Sequence, residues 1–461
     1  MVQSMHNNVS ECQNNVYLIL TNVYFSIKLI VVYNTHKRRI TMKSALVKAV
    51  SVVLMIATVF SATSFAFAQN ETKADIVTGF TAEDYLTTDG QDIVNQKGEK
   101  IRLKGVNLGA WMIWEGWLCP YEDDLDHATI FDILTSRFDE KTAYELMDIY
   151  MDNWITEYDL DEIKSMGFNS VRVPFWFRNF YYDDNGRKIL DENGKWDFSR
   201  LEWVVEECSK RELYVVLDMH GAVGYQSDAP HNGKKGECGL YEDSEQGERY
   251  RELTDELWTE IAVRFKGNPA VAMFDLLNEP MCDVEAGEIE RRKNNEMIYT
   301  RLYDTIRAVD EDRILTMEAI WTAIALPMAW TKGWDNVVYQ VHFYNNSNFI
   351  FNLFAWFTKF IYADVPMMMG EFYPHQQTTW ENCFNTLDKA NYSWFLWTYK
   401  ATGHGMWSSD WCLRGSKDGF HRVDVYNDSY EEIARKWGEC IRTENGFQNT
   451  GHYDKNVKDY I

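Results

Sequence analysis

Proline is scarce in this chain, 8 in 461 residues, and no Pro/Gly/Ser-rich or low-complexity stretch breaks residues 75–461. That excludes flexibly tethered modules and leaves one domain over 69–461 as the economical reading. Basic charge is short too: Lys+Arg 46 against Asp+Glu 70 give a formal net charge of -24. A surface of that sign repels nucleic acid and anionic lipid, whereas a neutral polymer is indifferent to it. The 8 cysteines include no C-x-x-C pair and no tight Cys/His cluster, and neither His-x-His nor His-Glu-x-x-His occurs. The common zinc spacings are therefore missing, and no metal is expected. No glycine-rich phosphate loop follows any candidate strand, which argues against an open nucleotide-binding sheet. No cofactor is expected.

What is present begins with export. Met42 to Lys48 is a basic segment, Ala49 to Phe60 is apolar, and Ala66-Phe67-Ala68 is a small-x-small cleavage pattern. Residues 42–68 read as a secretory signal peptide, which implies a secreted, extracellular protein with no membrane association after cleavage. Residues 1–41 read as an over-extended start. Loss of this segment removes Cys12 and leaves seven cysteines, an odd number, most of them read as small apolar core residues.

Short apolar runs alternate with amphipathic stretches along 75–461. The candidate strands are Leu103–Asn107, Ser170–Pro174, Tyr214–His220, Ala272–Asn278, Ile314–Glu318, Val337–His342, Met367–Glu371 and Ser393–Trp397. Each lacks the in/out alternation of a half-exposed strand and suits a parallel sheet covered on both faces. Between them, Leu160, Ile163 and Met166 follow a capping Thr156 and stop at Gly167. Leu201, Val204, Val205 and Cys208 recur at helical spacing, as do Leu253, Leu257, Ile261 and Phe265. Eight strands in strict alternation predict an α/β fold, a single (β/α)8 TIM barrel. Turns at Thr88-Asp89-Gly90 and Gln96-Lys97-Gly98 predict a short N-terminal β-hairpin placed to plug the barrel bottom.

Barrel enzymes keep their chemistry where the strands end, and here those ends are polar or aromatic: Asn107, Arg172, His220, Asn278-Glu279, His342 with Tyr344, Glu371 and Trp397. A single strand-end His or Arg is more often a structural hydrogen-bonding residue than a functional one. Seven of eight strands ending this way point to a site. Two carboxylates delivered to one rim, Glu279 and Glu371, are the minimal equipment for cleaving a glycosidic bond. Aromatics at 15%, with Trp 18 and Tyr 26, fit sugar platforms, Trp111, Trp114, Trp176, Trp407 and Trp411 being candidates, although any one tryptophan is more often core.

These motifs resemble glycoside hydrolase family 5, the cellulase-like family whose catalytic glutamates follow strands four and seven. Leu277-Asn278-Glu279-Pro280 resembles its acid/base signature, Gly370-Glu371-Phe372 its nucleophile strand, and Val171-Arg172-Val173-Pro174 its strand-two arginine. His342-Phe343-Tyr344 and Trp397 are similar to its strand-six and strand-eight residues. A further likeness is to the exo-β-1,3-glucanase-like branch. It rests on Gly105 to Trp111 followed by Glu115, on Trp154-Ile155-Thr156-Glu157, on His220 to Gln226, and on Trp397 to Lys400. One block departs: where that branch carries an acidic sugar contact after strand three, this chain reads Ala229-Pro230-His231-Asn232-Gly233.

The resemblance implies a retaining β-glycosidase acting on β-glucans, β-1,3- or β-1,4-linked, by double displacement. Glu371 would be the nucleophile and Glu279 the acid/base. Arg172 would hold Glu371 ionised and Tyr344 would donate to it. Asn278 would bond the sugar 2-hydroxyl, Glu115 would grip a terminal sugar, and Trp397 would floor the cleavage subsite. His220 and His342 would bond sugar hydroxyls or Glu279. The implied partner is a β-glucan or β-glucoside, bound by a monomer. A non-catalytic carbohydrate-binding barrel, a transglycosylase and a hydrolase of small or lipid-linked β-glucosides use the same framework. Linkage, chain length and exo or endo action stay open, as does the apolar stretch Phe349–Phe357, read as a buried helix or a lid.

Overall fold

Eight parallel strands close on themselves in chain order, the last pairing with the first. The structure, a computed structural model, describes residues 79–122, 124–318, 326–344, 347–374, 379–402, 413–415 and 419–461. The expected signal segment 42–68, residues 1–41, and Trp407 and Trp411, two of the tryptophans weighed as sugar platforms, lie outside the described residues.

The barrel strands are β3 Lys104–Asn107, β4 Ser170–Trp176, β5 Tyr214–Gly221, β6 Val271–Asp275, β7 Ile314–Glu318, β8 Val337–His342, β9 Met367–Phe372 and β10 Tyr392–Leu396. All eight expected strands are present. Trp394 sits opposite Lys104 where the barrel closes. Every residue of β4 to β10 is buried. Side chains fill the inside and helices cover the outside, so no residue of these strands is left to be polar for solvent's sake.

The helices between strands follow the expected faces. Helix Glu157–Ser165 starts where Asp159 Oδ2 accepts from both the backbone N–H (2.8 Å) and the hydroxyl (3.1 Å) of Thr156. It ends at Gly167, whose φ of 93° is open to glycine at little cost. Helix Ser199–Lys210 buries Leu201, Val204, Val205 and Cys208, and helix Glu245–Phe265 buries Leu253, Leu257, Ile261 and Phe265. The Ser244 hydroxyl accepts from Gly247 N–H at 3.0 Å to cap the latter, a contact worth about 1 kcal/mol.

The hairpin is β1 Thr87–Asp89 against β2 Asp92–Val94, turning through Gly90. Thr88 N–H donates to Asn336 Oδ1 (2.9 Å) and Asn391 Nδ2 donates to Asp92 Oδ1 (2.8 Å). Asn336 immediately precedes β8 and Asn391 precedes β10, so the hairpin closes the N-terminal end, opposite the strand ends that carry the polar residues.

Three differences from expectation stand out. β6 stops at Asp275, so Asn278-Glu279 belongs to the turn beyond it, and Trp397 likewise lies one residue past β10. Helix Asn348–Ile361 forms, yet it buries only Phe351, Ala355, Thr358 and Lys359. Phe349 (71% exposed), Phe360 (70%) and Leu353 (56%) face outward, so this helix is not buried all round. No helix among the described residues is long and apolar enough to cross a membrane.

Candidate active site

A guanidinium with no solvent exposure is untenable unless all its protons are used. Arg172, at the third position of β4, uses them all. Nε donates to Asp275 Oδ2 (2.8 Å), and Nη1 donates to Glu371 Oε1 (2.8 Å) and Asn107 Oδ1 (3.0 Å). Nη2 donates to Asn278 Oδ1 (2.9 Å) and lies 3.0 Å from Asp218 Oδ2. Burial opposes its charge, but Asp218, Asp275 and Glu371 outweigh that and raise its pKa further. Burial in turn pushes Asp218 and Asp275 up to about 7 each, against the pull of Arg172.

Glu371 closes this network on β9. Its Oε1 accepts from Arg172 and its Oε2 accepts from the Tyr344 hydroxyl at 2.8 Å. Burial raises its pKa to about 7, while His342 and Arg172 pull it down. The preceding Gly370 is a packing requirement: a Cβ there would run into Gln340 Oε1 and lie 2.9 Å from His342 Nε2. Gln340 in turn donates from Nε2 to Asp275 Oδ1 (2.5 Å), tying β8 to the arginine network.

Glu279 arrives from the turn after β6. Leu276 N–H still donates to Thr316 O (3.1 Å) and Asn278 N–H to Met219 O (3.1 Å), which holds the chain between its neighbouring strands after the regular ladder ends. The backbone then turns through φ 41° at Glu279, and Glu318 at the end of β7 accepts from the Glu279 backbone N–H. His342 Nδ1 lies 2.9 Å from Glu279 Oε1, 3.2 Å from Glu318 Oε1 and 3.6 Å from Glu371 Oε2. Oxygens of Glu279 and Glu371 and a ring nitrogen of His342 all lie within 4.8 Å of one another. Burial lowers the His342 pKa to about 3, so the ring is neutral, and its Nδ1 is hydrogen-bonded to Glu279. Burial and the Glu279 charge raise Glu318 well above the carboxylate range, which keeps it protonated.

Asn107, Arg172, Asn278, Glu279, His342, Tyr344 and Glu371 are thus joined by direct contacts. His220 is one step removed: its Nδ1 lies 2.6 Å from Asp218 Oδ2, and its ring stacks on Trp397 (centroids 5.5 Å apart, 9° between planes). Trp397 itself is only 3% exposed. Glu115 accepts from Trp117 Nε1 at 2.9 Å; burial, with the charges of Glu371 and Glu279, raises its pKa to about 8. Trp111, Trp114 and Trp176 are buried in the core, Trp114 stacked on His127, and are packing rather than sugar platforms.

Asp218, Asp275, Gln340, Glu318 and His231 were not among the residues expected here. The first three are polar residues inside otherwise apolar strands, a signal of internal partners. Glu318 ends a strand, as Glu371 nearly does. His231, whose Nδ1 lies 3.5 Å from Glu279 Oε2, sits in the block that departs from the glucanase-like pattern.

Comparison with known proteins agrees with this geometry. Residues 135–403, more than half of the chain, match the model of the cellulase family, glycosyl hydrolase family 5. A β-xylosidase of Phanerodontia chrysosporium is 28% identical over 265 residues, 57% of this chain and 52% of that protein. A glucan 1,3-β-glucosidase of Candida oleophila is 28% identical over 191 residues, 39% of this chain and 43% of that protein. The chain thus spans about half the length of the curated relatives it matches. The crystal structure of an endogalactoceramidase superposes with a TM-score of 0.52 at 16% identity, covering 77% of this chain and 84% of the other, a likeness of fold. With its eight-stranded parallel barrel and the family match across β4 to β10, the chain belongs to glycosyl hydrolase family 5.

Proposed function

We propose that this protein is a retaining β-glycoside hydrolase that cleaves β-linked glucans, with Glu371 as nucleophile and Glu279 as acid/base. The observation that carries the reading is the approach of one Glu279 oxygen to one Glu371 oxygen, within 4.8 Å. Retaining enzymes hold their carboxyls roughly 5–5.5 Å apart, whereas inverting ones leave room for water at about 6.5–9.5 Å. Glu371 attacks the anomeric carbon while Glu279 gives its proton to the departing oxygen. In the second step Glu279 takes a proton from water, which releases the sugar from Glu371 with its original configuration.

The surrounding residues support those roles. Arg172 and Tyr344 hold one Glu371 oxygen each, fixing the carboxylate for attack and favouring its charged form. Arg172 also commits Asn278 Oδ1, so the Asn278 amide Nδ2 is the end that meets a sugar 2-hydroxyl. His342 orients Glu279 through Oε1. Trp397, His220 and Glu115 line the same end of the barrel and serve as sugar contacts.

A neutral glucan suits the acidic protein, and one relative is named for the β-1,3 linkage. Export through the signal at 42–68 puts the enzyme where such polymers lie; a mature N-terminus at Gln69 checks it. The reaction is tested by proton NMR of the first products from laminari-, cello- and xylo-oligosaccharides. The β-anomer should appear first and mutarotate to α. An α-anomer appearing first contradicts double displacement.

A further inference from the structure

Around the acid/base lies a second constellation, two of whose members hydrolysis does not use. A side-chain oxygen of Glu279, a ring nitrogen of His231 and the Cys282 sulfur all lie within 4.8 Å of one another. We propose that these three groups form a binding site for a thiophilic divalent cation of the zinc class, which holds the enzyme off by occupying Glu279. The inhibitory consequence rests on the acid/base role given to Glu279; the binding site itself does not.

The ligand set is one nitrogen, one oxygen and one sulfur, the donors zinc takes, with a fourth position for water. Ligands at ~2.0–2.1 Å in a tetrahedron stand about 3.4 Å from each other. His231 Nδ1 and Glu279 Oε2 already stand 3.5 Å apart, and the sulfur, within 4.8 Å of its partner atoms, needs a movement of at most about 1.4 Å to complete the edge lengths. The other His231 nitrogen, Nε2, lies 3.3 Å from Ser227 Oγ, the outer-shell partner that fixes ring orientation in metal sites.

Backbone bonds hold the two contributing loops together before any ion arrives. Met281 N–H donates to Gln226 O (2.7 Å), Asp228 N–H to Cys282 O (3.2 Å) and Gln226 Nε2 to Asn278 O (2.8 Å). The Cys282 N–H donates to Glu279 O (3.2 Å), folding the thiol back toward the carboxyl three residues earlier. His231 sits on a short 3-10 turn, Pro230–Asn232, closed by Gly233 at φ 99°.

Electrostatics favour a cation here. The charged groups acting most strongly on Cys282 are Glu279 and Asp283, both acidic; Glu318, held protonated, adds no charge. The neighbouring trio of Glu279, His342 and Glu371 has comparable spacing, but the Arg172 guanidinium 2.8 Å from Glu371 repels a metal there. On binding, the Cys282 thiol loses its proton to solvent, as does Glu279 if it carries one, so affinity rises with pH. Glu279 then has neither a proton to give nor a free oxygen.

The test uses the full chain under reducing conditions, titrated with zinc by calorimetry and with cobalt(II) by absorption. One equivalent of cobalt should give intense tetrahedral bands and a sulfur-to-metal charge-transfer band, both displaced by zinc. Cys282→Ser should abolish the charge-transfer band and weaken zinc at least ~10-fold, and His231→Ala should weaken it about 10–100-fold. Cys238→Ser, altering another cysteine of the same loop region, should leave both unchanged. No cobalt band, or a band that survives Cys282→Ser, overturns the site; should that variant not fold, undiminished binding in His231→Ala does so. Zinc should also inhibit turnover, reversed by EDTA. Binding without inhibition supports the site and overturns the acid/base reading of Glu279.

Discussion

Arg172 Nη1 and Glu371 Oε1 stand 2.8 Å apart at the centre of the barrel, in an ion pair the solvent does not reach. The pair is one edge of a five-acceptor shell, so its value lies in geometry as much as charge. Arg172→Lys keeps the charge and loses the fork, leaving several of Asn107, Asp218, Asp275 and Asn278 without their donor. Stability should fall by about 3–5 kcal/mol, read by denaturant unfolding. Turnover should fall by about 10²–10³-fold, measured at a temperature where the variant is folded.

Tyr344 reports on the protonation of Glu371 more gently. Its hydroxyl bond favours the charged carboxylate, and the proposed attack requires Glu371 in its ionised form. Tyr344→Phe should therefore move the acid limb of the kcat/KM profile to higher pH. A pH–rate series on wild type and variant checks the direction; an unmoved limb counts against Glu371 as the group titrating there.

Gly370 is required for what it lacks. Gly370→Ala puts a methyl into Gln340 and His342, both of which are buried and hydrogen-bonded in the network. Neither can yield without breaking a bond to Asp275 or Glu279. A loss of at least ~2 kcal/mol in stability is expected, as for overpacking of a tight core. Activity should fall further than the folded fraction does.

Stability should decline between pH 6.5 and 8. A carboxyl with a raised folded pKa keeps a proton that the unfolded chain has lost, so its contribution is full below the unfolded value and fades as pH rises to the folded one. Asp218, Asp275 and Glu371 at about 7 and Glu115 at about 8 act this way. His231 at about 4 and His342 at about 3 work oppositely, but their effect is complete once pH passes the ordinary histidine value of about 6.5. Lys400, lowered by burial to about 8, adds stability only above that pH. Thermal melts should therefore lose a few degrees between pH 6.5 and 8.

Much of this was legible in the chain. Strands covered on both faces write themselves as unbroken apolar runs, which is why Val337–His342 and Ile314–Glu318 match to the residue. The strand ends exposed Glu371, Arg172 and His342 for the same reason. Asp218 and Asp275 are visible as polar residues inside apolar strands, but their pairing with Arg172 was illegible, because pairing across a barrel leaves no local spacing. Glu318 carries the same signal as Glu371, and only the partners the fold supplies distinguish them: Arg172 and Tyr344 hold Glu371 down, and neither holds Glu318. The helix Asn348–Ile361 misleads in the other direction: its composition asks for burial, yet Phe349 and Phe360 face outward.

The most direct measurement is chemical rescue of two truncated enzymes by azide. Glu371→Ala on an activated β-glycoside should be nearly dead and recover with azide, giving the α-glycosyl azide, because the small anion takes the place of the missing nucleophile. Glu279→Ala should give the β-glycosyl azide instead, with Glu371 intact to form the intermediate. The same azide anomer from both variants, or near-native turnover in Glu371→Ala without azide, would contradict the assignment.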